Sequence, residues 1–73
     1  MSTKQNHGER KLSHPQLRLV QLVGEGRSNR EIARIIGTTE QAVQDRLREI
    51  QNKLGLSNRL ELMFWHIENQ KRR

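Results

Sequence analysis

The sequence predicts an all-α domain of four helices, and three observations support this fold class. Apolar residues recur at helical spacing in four successive segments of the chain. Each segment starts next to a serine, threonine or asparagine, which are common helix N-caps, and a glycine follows each of the first three. No segment shows the alternation of apolar and polar residues that is typical of a strand.

The chain divides into a central domain and two polar ends. Residues 1–11 have no apolar periodicity and are predicted to be a flexible arm, residues 12–70 form the domain, and residues 71–73 are a basic tail. Of the net charge of +6, the arm carries +2 and the tail +3, which leaves +1 for the domain. Because basic tails can serve solubility as well as nucleic-acid binding, the charge alone does not identify a partner.

The composition excludes several classes of protein. The chain has no cysteine, so it has neither disulfides nor a thiolate nucleophile. Its first residues lack the apolar stretch of a secretion signal, and no apolar run approaches the roughly 20 residues of a membrane helix. We therefore expect a cytoplasmic protein that does not bind membranes.

The first helix is predicted to begin after Ser13, a suitable N-cap, with Pro15 in the first turn, where no amide partner is needed. Apolar residues between Leu17 and Val23 give this helix a broad buried face. Gly26 is expected to follow its end in the left-handed conformation.

The second helix is predicted to open with a capping box between Ser28 and Glu31, each accepting a hydrogen bond from the amide of the other. Gly37 ends this helix, because a residue that tolerates positive φ can turn the chain sharply. The predicted buried stripe consists of Ile32, Ala33, Ile35 and Ile36.

The third helix follows after a very short turn. Thr38 and Thr39 are alternative N-caps, with Gln41 in the capping-box position relative to Thr38, and Gly55 ends the helix. The predicted buried seam is Val43, Leu47, Ile50 and Leu54. The opposite, polar side carries Gln41, Gln44, Asp45, Arg48 and Asn52. Two helices joined by a tight glycine turn, the second with a hydrogen-bonding face, predict a helix-turn-helix.

The fourth helix is predicted from Arg59 to about Gln70, with Asn58 as its cap and Glu61 as the capping-box partner, and Leu56 before it is expected to fill the core. It carries two apolar stripes, one made of Leu60, Met63, Phe64 and Ile67 and the other of Leu62 and Trp65. A core on one side can bury only one stripe, so the other predicts a partner, unless both are buried within the monomer.

The chain resembles, from Leu12 to Leu62, the LuxR/GerE-type DNA-binding domain of bacterial transcription regulators. The matching stretches are Leu12-Ser13, Gly26-x-Ser28-Asn29-x-Glu31-Ile32-Ala33, Gly37 and Thr39 before Val43, Lys53-Leu54-Gly55-Leu56, and Asn58-Arg59-x-Glu61-Leu62. The first half of this pattern is shared with region-4-like domains of sigma factors, whereas the ending favours LuxR/GerE.

The chain also departs from the family pattern. The recognition helix of the family commonly contains Thr-Val-Lys-x-His, where this chain has Ala42, Gln44 and Arg46 at the first, third and fifth positions and Asp45 at the variable one. Most members carry a receiver or ligand-binding domain upstream. The eleven residues before the domain of this sequence are too few for such a domain. The chain therefore resembles the stand-alone, GerE-like members, or else an excised output domain.

The resemblance implies that the third helix, residues 39–54, lies in the major groove of double-stranded DNA. The candidate base-reading residues are Gln41, Gln44, Asp45 and Arg48, with the amide of Gln44 suited to adenine, Arg48 to guanine and Asp45 to the amino group of cytosine. The candidate phosphate contacts are Arg30, Thr39, Arg46 and Lys53. Alternatively, Asp45 and Arg48 pair with each other on a solvated face.

Catalytic and metal chemistry find little support in the sequence. The three histidines, His7, His14 and His66, are widely spaced and have no carboxylate at ligand or triad spacing. There is also no glycine-rich phosphate loop. We expect no enzymatic activity, no metal and no cofactor.

The sequence thus favours a sequence-specific transcription regulator that dimerises through its last helix, with Leu60, Met63, Phe64 and Ile67 in the interface. The alternative is an adaptor or anti-activator of the same fold that binds another regulator and no longer reads DNA. The near-neutral domain and Asp45 favour that alternative. Another transcription regulator or RNA polymerase is a further candidate partner.

Overall fold

The computed structural model of the protein describes residues 12–71, which form four helices and no strand, so the predicted all-α fold class is confirmed. The predicted N-terminal arm and the last two residues of the predicted basic tail lie outside the described residues. The helices are α1 (His14–Gly24), α2 (Asn29–Ile36), α3 (Glu40–Leu54) and α4 (Arg59–Lys71). No helix in the described range is long and apolar enough to span a membrane.

Local hydrogen bonds fix the ends of α1 and the start of α2. Ser13 caps α1 in a full capping box, because its amide also donates to Oε1 of Gln16 at 2.9 Å. Gly26 follows the end of α1 with φ of +85°, as predicted. The predicted capping box of Ser28 and Glu31 at the start of α2 is confirmed, with both hydrogen bonds 3.1 Å long.

The turn between α2 and α3 corrects one prediction. Thr39 alone caps α3, where its hydroxyl accepts from the amide of Ala42 at 3.1 Å. The amide of Thr38 instead donates to the carbonyl of Ala33 at 2.9 Å and closes α2 together with Gly37. Because that amide is already used, Gln41 cannot form the predicted capping box with Thr38.

At the start of α4, one of the two hydrogen bonds of the predicted capping box is present and the other has a different donor. The amide of Glu61 donates to Oδ1 of Asn58 at 2.9 Å. The Glu61 carboxylate, however, accepts from the amide of Ser57 at 2.7 Å and not from that of Asn58. The helix runs through Lys71, one residue beyond the expected end.

One apolar core holds the helices together in two pairs. Helix α4 packs mainly on α1, α2 packs mainly on α3, and a smaller α1–α3 contact joins the pairs. The buried residues are Leu12, Leu19, Val20, Leu22, Val23, Ile32, Ala33, Val43, Leu47, Ile50, Leu54 and Leu62. Four partly buried side chains pack against this core, namely Ile36, Leu56, Met63 and Trp65. The core therefore lies between the helix-turn-helix and the α1–α4 pair. The predicted stripe of α2 is wrong at Ile35, which is 43 % exposed because it projects away from the side of the helix that carries Ile32 and Ala33.

Gly24 of α1 faces His66 of α4 at close range. A Cβ atom added to Gly24 would overlap the imidazole of His66. A larger residue at Gly24 would require the His66 side chain to move, so glycine permits this close approach and is not there for an unusual backbone angle.

Candidate nucleic-acid interface

Helix α3 presents a polar surface that the rest of the fold leaves open. Its predicted seam is confirmed, since Val43, Leu47, Ile50 and Leu54 are all buried. The residues that project from the opposite side are exposed: Gln41, Gln44, Asp45, Arg48, Glu49 and Asn52. Helix α2 and the three-residue turn 37–39 hold α3 at its N-terminal end, so this polar surface stays accessible along its length.

Three of the four candidate base-reading residues form one cluster around a carboxylate oxygen. The side-chain amide of Gln41 donates to Oδ1 of Asp45 at 3.1 Å, and Nη1 of Arg48 lies 3.7 Å from the same atom. The pairing of Asp45 with Arg48 is thus present on this solvated face. Exposed ion pairs stabilise a protein by only about 0–1 kcal/mol, so a ligand can displace this one at little cost.

Gln44, the fourth candidate, lies on the flank of α3 that faces α2 and α4. It lines an open depression of about 190 Å³. The other lining residues are Asn29, Leu47, Arg48, Gln51 and Arg59. The lining offers two guanidinium groups and three side-chain amides and no carboxylate, so this flank is rich in hydrogen-bond donors.

The candidate phosphate-binding residues are exposed and fall on different sides of α3. Arg46 and Lys53 are seven residues apart and project from one flank, where Nζ of Lys53 lies 3.4 Å from Oε1 of Gln16 on α1. Arg30 lies in the first turn of α2, next to the residue that lines the depression on the other flank. The Thr39 hydroxyl accepts the capping bond, which leaves only its proton to donate to a phosphate.

The charges of α3 balance. The helix contains three basic and three acidic residues, and residues 12–71 as a whole contain nine basic and seven acidic ones. The polar surface therefore offers hydrogen bonds in both directions and carries little net charge.

Arg59 also belongs to this region, although the sequence indicates it only as the start of the fourth helix and as part of the family motif. Its Nη1 donates to Oδ1 of Asn29 at 2.7 Å, and its Nη2 donates to the carbonyl of Arg27 at 2.7 Å. These partners are 30 and 32 residues away in sequence, respectively, so no local pattern predicts them. Gln51, by contrast, follows Gln44 by seven residues and could have been placed on the same flank by periodicity.

The outer side of α4 is apolar. Leu60, Phe64 and Ile67 are 59, 58 and 47 % exposed, whereas Leu62 is completely buried. Trp65 packs partly buried against the core with Leu62. Of the four predicted dimer residues, Met63 differs from the rest, since it also packs against the core and lies at the edge of the exposed set.

Metal ligands are not gathered anywhere in the part of the chain that the structure describes: no three His, Asp or Glu side chains converge in residues 12–71.

Comparison with known proteins gave one family match. The chain matches the family described as bacterial regulatory proteins, luxR family, over residues 10–66, which is more than half of its length. No curated protein and no solved structure matched significantly. The matched family is one of DNA-binding helix-turn-helix regulators and not of enzymes, and the chain belongs to it.

Proposed function

We propose that this protein is a cytoplasmic transcription regulator that binds double-stranded DNA sequence-specifically, with α3 in the major groove, as a homodimer joined through α4. The observation that carries the proposal is the open polar side of α3, opposite a fully buried seam. A major groove about 12 Å wide accepts such a helix. Membership of a DNA-binding family supports the same orientation.

Base recognition is assigned to side chains on the side of α3 opposite its buried seam and on the flank that faces α2. Arg48 has the donor geometry for guanine, Gln44 matches the donor–acceptor pair of adenine, and Asp45 can accept from cytosine. Gln41 lies beside Asp45 and orients it through the 3.1 Å hydrogen bond. A good bidentate contact discriminates between bases by about 1–3 kcal/mol.

Phosphate contacts are assigned to both sides of the groove. Arg46 and Lys53 would meet one strand from the α1 flank, and Arg30 would meet the other from the start of α2. Thr39 would add a hydroxyl proton at the N-terminus of α3. Such contacts fix the register of the protein without reading sequence.

Dimerisation is assigned to the outer side of α4, with Leu60, Phe64 and Ile67 at the centre and Met63 at the edge. These side chains are exposed in the monomer and large enough to form an apolar contact. Two subunits double the number of base contacts that one short helix can make. A two-fold dimer implies a pseudo-palindromic site with half-site centres about one helical turn apart.

The experiment that tests DNA binding is a salt titration against a random pool of duplex DNA. Because neutralised phosphates release counterions, log K should fall linearly with log salt by about 0.9 per phosphate contact. Removing residues 1–11 and 71–73 should flatten the slope and leave the sequence preference unchanged. An interaction that is undetectable or independent of salt would contradict the proposal.

A second candidate function is an adaptor or anti-activator that binds another regulator or RNA polymerase. Two observations favour it, namely the balanced charge of α3 and the contacts of Gln41 and Arg48 with Asp45. The two functions differ in the same titration. An adaptor should bind a protein partner with little dependence on salt and should not retain DNA at low salt.

A further inference from the structure

We infer that Arg59 is a positioning residue for DNA recognition: its guanidinium fixes the direction of the helix-turn-helix unit, residues 28–54, relative to the α1–α4 pair. The inference rests on the proposed function, because α4 is the proposed dimer helix and α3 the proposed reading helix. In such a dimer, the angle between α4 and α3 sets how far apart the two α3 helices enter the groove.

The packing leaves one side of this angle weakly held. Helices α2 and α3 form one pair, α1 and α4 form the other, and the closest backbone approach between the pairs is that of α1 and α3. Within residues 12–71, the remaining helix pairs touch only marginally. The backbones of α2 and α4 therefore approach each other little, so a long side chain is needed to link the start of α2 directly to α4.

The two hydrogen bonds of Arg59 supply that tie. Nη1 donates to the side chain of Asn29, the first residue of α2, and Nη2 donates to the carbonyl of Arg27 in the preceding turn, both at 2.7 Å. Two bonds from one planar group restrain direction as well as distance. The bond to Asn29 is partly buried, so solvent and salt screen it less than the bonds of a surface pair, whereas the bond to the Arg27 carbonyl is exposed.

The tie lies beside the proposed reading residues. Arg59 and Asn29 line the same depression as Gln44 and Arg48. The Arg59 guanidinium already has two protein acceptors, whereas Gln44 and Arg48 face the open side of the helix. Arg59 is thus placed to hold this flank and not to read bases.

Amide hydrogen exchange on the DNA-free protein tests the tie directly. In Arg59→Gln, we expect the amides of Glu31 and Ile32 to exchange about tenfold faster, equivalent to about 1.4 kcal/mol. Core amides such as that of Ile50 should be unchanged. The matched control is Arg18→Gln on α1, which removes the same charge from an exposed site and should leave all of these rates unaltered.

Two further variants secure the interpretation. Arg59→Lys keeps the charge, but one ammonium cannot donate along both directions, so it should accelerate the same amides to a smaller extent and serves if Arg59→Gln does not fold. Asn29→Ala removes one acceptor, and combining it with Arg59→Gln should give less than the sum of the two effects. Unchanged exchange at residues 31 and 32, or equal acceleration of every amide in both Arg59 variants, would overturn the inference.

Spacing preference on DNA is the second readout. Duplexes selected by the unmodified protein are re-spaced by inserting about half a helical turn between the half-sites. The unmodified protein and Arg18→Gln should strongly prefer the selected spacing, and in Arg59→Gln this preference should fall several-fold. An intact preference would overturn the inference. If the unmodified protein binds no DNA, the proposed function fails, and the exchange experiment still decides whether Arg59 holds α2.

Discussion

The outer sides of α3 and α4 are both exposed, but they differ in what they require from a partner. The α3 side consists of amide and charged groups that hydrogen-bond to each other and to water, as Asp45 does with Gln41 and Arg48. The α4 side exposes Leu60 and Phe64, which gain nothing from water. The α3 side is stable in contact with water when no ligand is bound. The α4 side, by contrast, is stabilised by any apolar surface that buries it.

This difference has a scale. Burying a large apolar side chain that would otherwise be exposed stabilises a contact by about 1.5–3 kcal/mol. An exposed ion pair such as that of Asp45 and Arg48 contributes about 0–1 kcal/mol. Substitutions on the outer side of α4 should therefore change the free energy of dimerisation strongly. Substitutions on α3 should change the free energy of DNA binding by smaller amounts.

The largest effect, a loss of folding stability, is expected at Leu62, which lies on the buried side of α4. Leu62→Ala removes a fully buried side chain and should lower the free energy of unfolding by about 2–5 kcal/mol. Leu60→Ala, the same substitution two residues earlier on the exposed side, should change it by only about 0.5 kcal/mol. Urea denaturation at protein concentrations that keep the chain monomeric measures both. Equal losses would show that the two sides of α4 do not differ in burial.

The second effect concerns assembly. In Phe64→Glu, a two-fold dimer loses an apolar contact in both subunits, and its Kd should rise roughly a hundredfold, or about 3 kcal/mol. Sedimentation equilibrium measures this change. The control is Ile35→Glu, which places the same charge at an exposed isoleucine on α2 and should leave the dimer intact. A monomeric unmodified protein at high micromolar concentration would refute the proposed dimer.

The third effect concerns recognition on α3. Arg48→Ala and Gln44→Ala should each relax the preference at particular base pairs by about 1–3 kcal/mol. Lys53→Ala should instead weaken binding to all sequences alike and reduce the salt slope by about 1. Competition among duplexes that differ at single base pairs distinguishes these outcomes. If all three variants bind as the unmodified protein does, α3 is not the reading helix.

The smallest effect is expected at Asp45. Asp45→Asn removes a negative charge that would face the DNA and releases Arg48, so if Asp45 only repels phosphate, overall affinity should rise by up to about 1 kcal/mol. Glu49→Gln is the matched control, with the same change in charge one turn farther along α3. A larger gain for Asp45→Asn indicates that pairing with Arg48 opposes binding. Relaxed preference at one base pair without a gain would assign Asp45 to cytosine.

Local signals in the sequence were enough to predict the four helices and the helix-turn-helix. The capping residues Ser28 and Asn58 and the turn glycine Gly37 act within a few residues of their own position, so their roles follow from spacing alone. The seam of α3 was also predictable, because only one side of that helix is apolar. The competition between Thr38 and Thr39 was not, since it depends on which amide completes the preceding helix.

Other features depend on contacts between distant parts of the chain. Both stripes of α4 are apolar, so periodicity cannot tell which one packs on α1, and the buried position of Leu62 decides it. The partners of Arg59 lie in another helix and its preceding turn, and no spacing rule connects them. The pairing of Asp45 with Arg48 was predictable because both residues lie on one helix, three positions apart. The depression beside Gln44 was not, because residues of three helices line it.

The balanced charge of α3 has a consequence for kinetics. A helix without net charge, such as α3, produces little long-range field, and association without such steering typically proceeds at about 10⁵–10⁶ M⁻¹s⁻¹. Most of the net positive charge of the chain, +5 of +6, belongs to residues 1–11 and 71–73. We therefore expect the two ends to govern how fast the protein encounters DNA, and α3 to govern how long it remains at a given site.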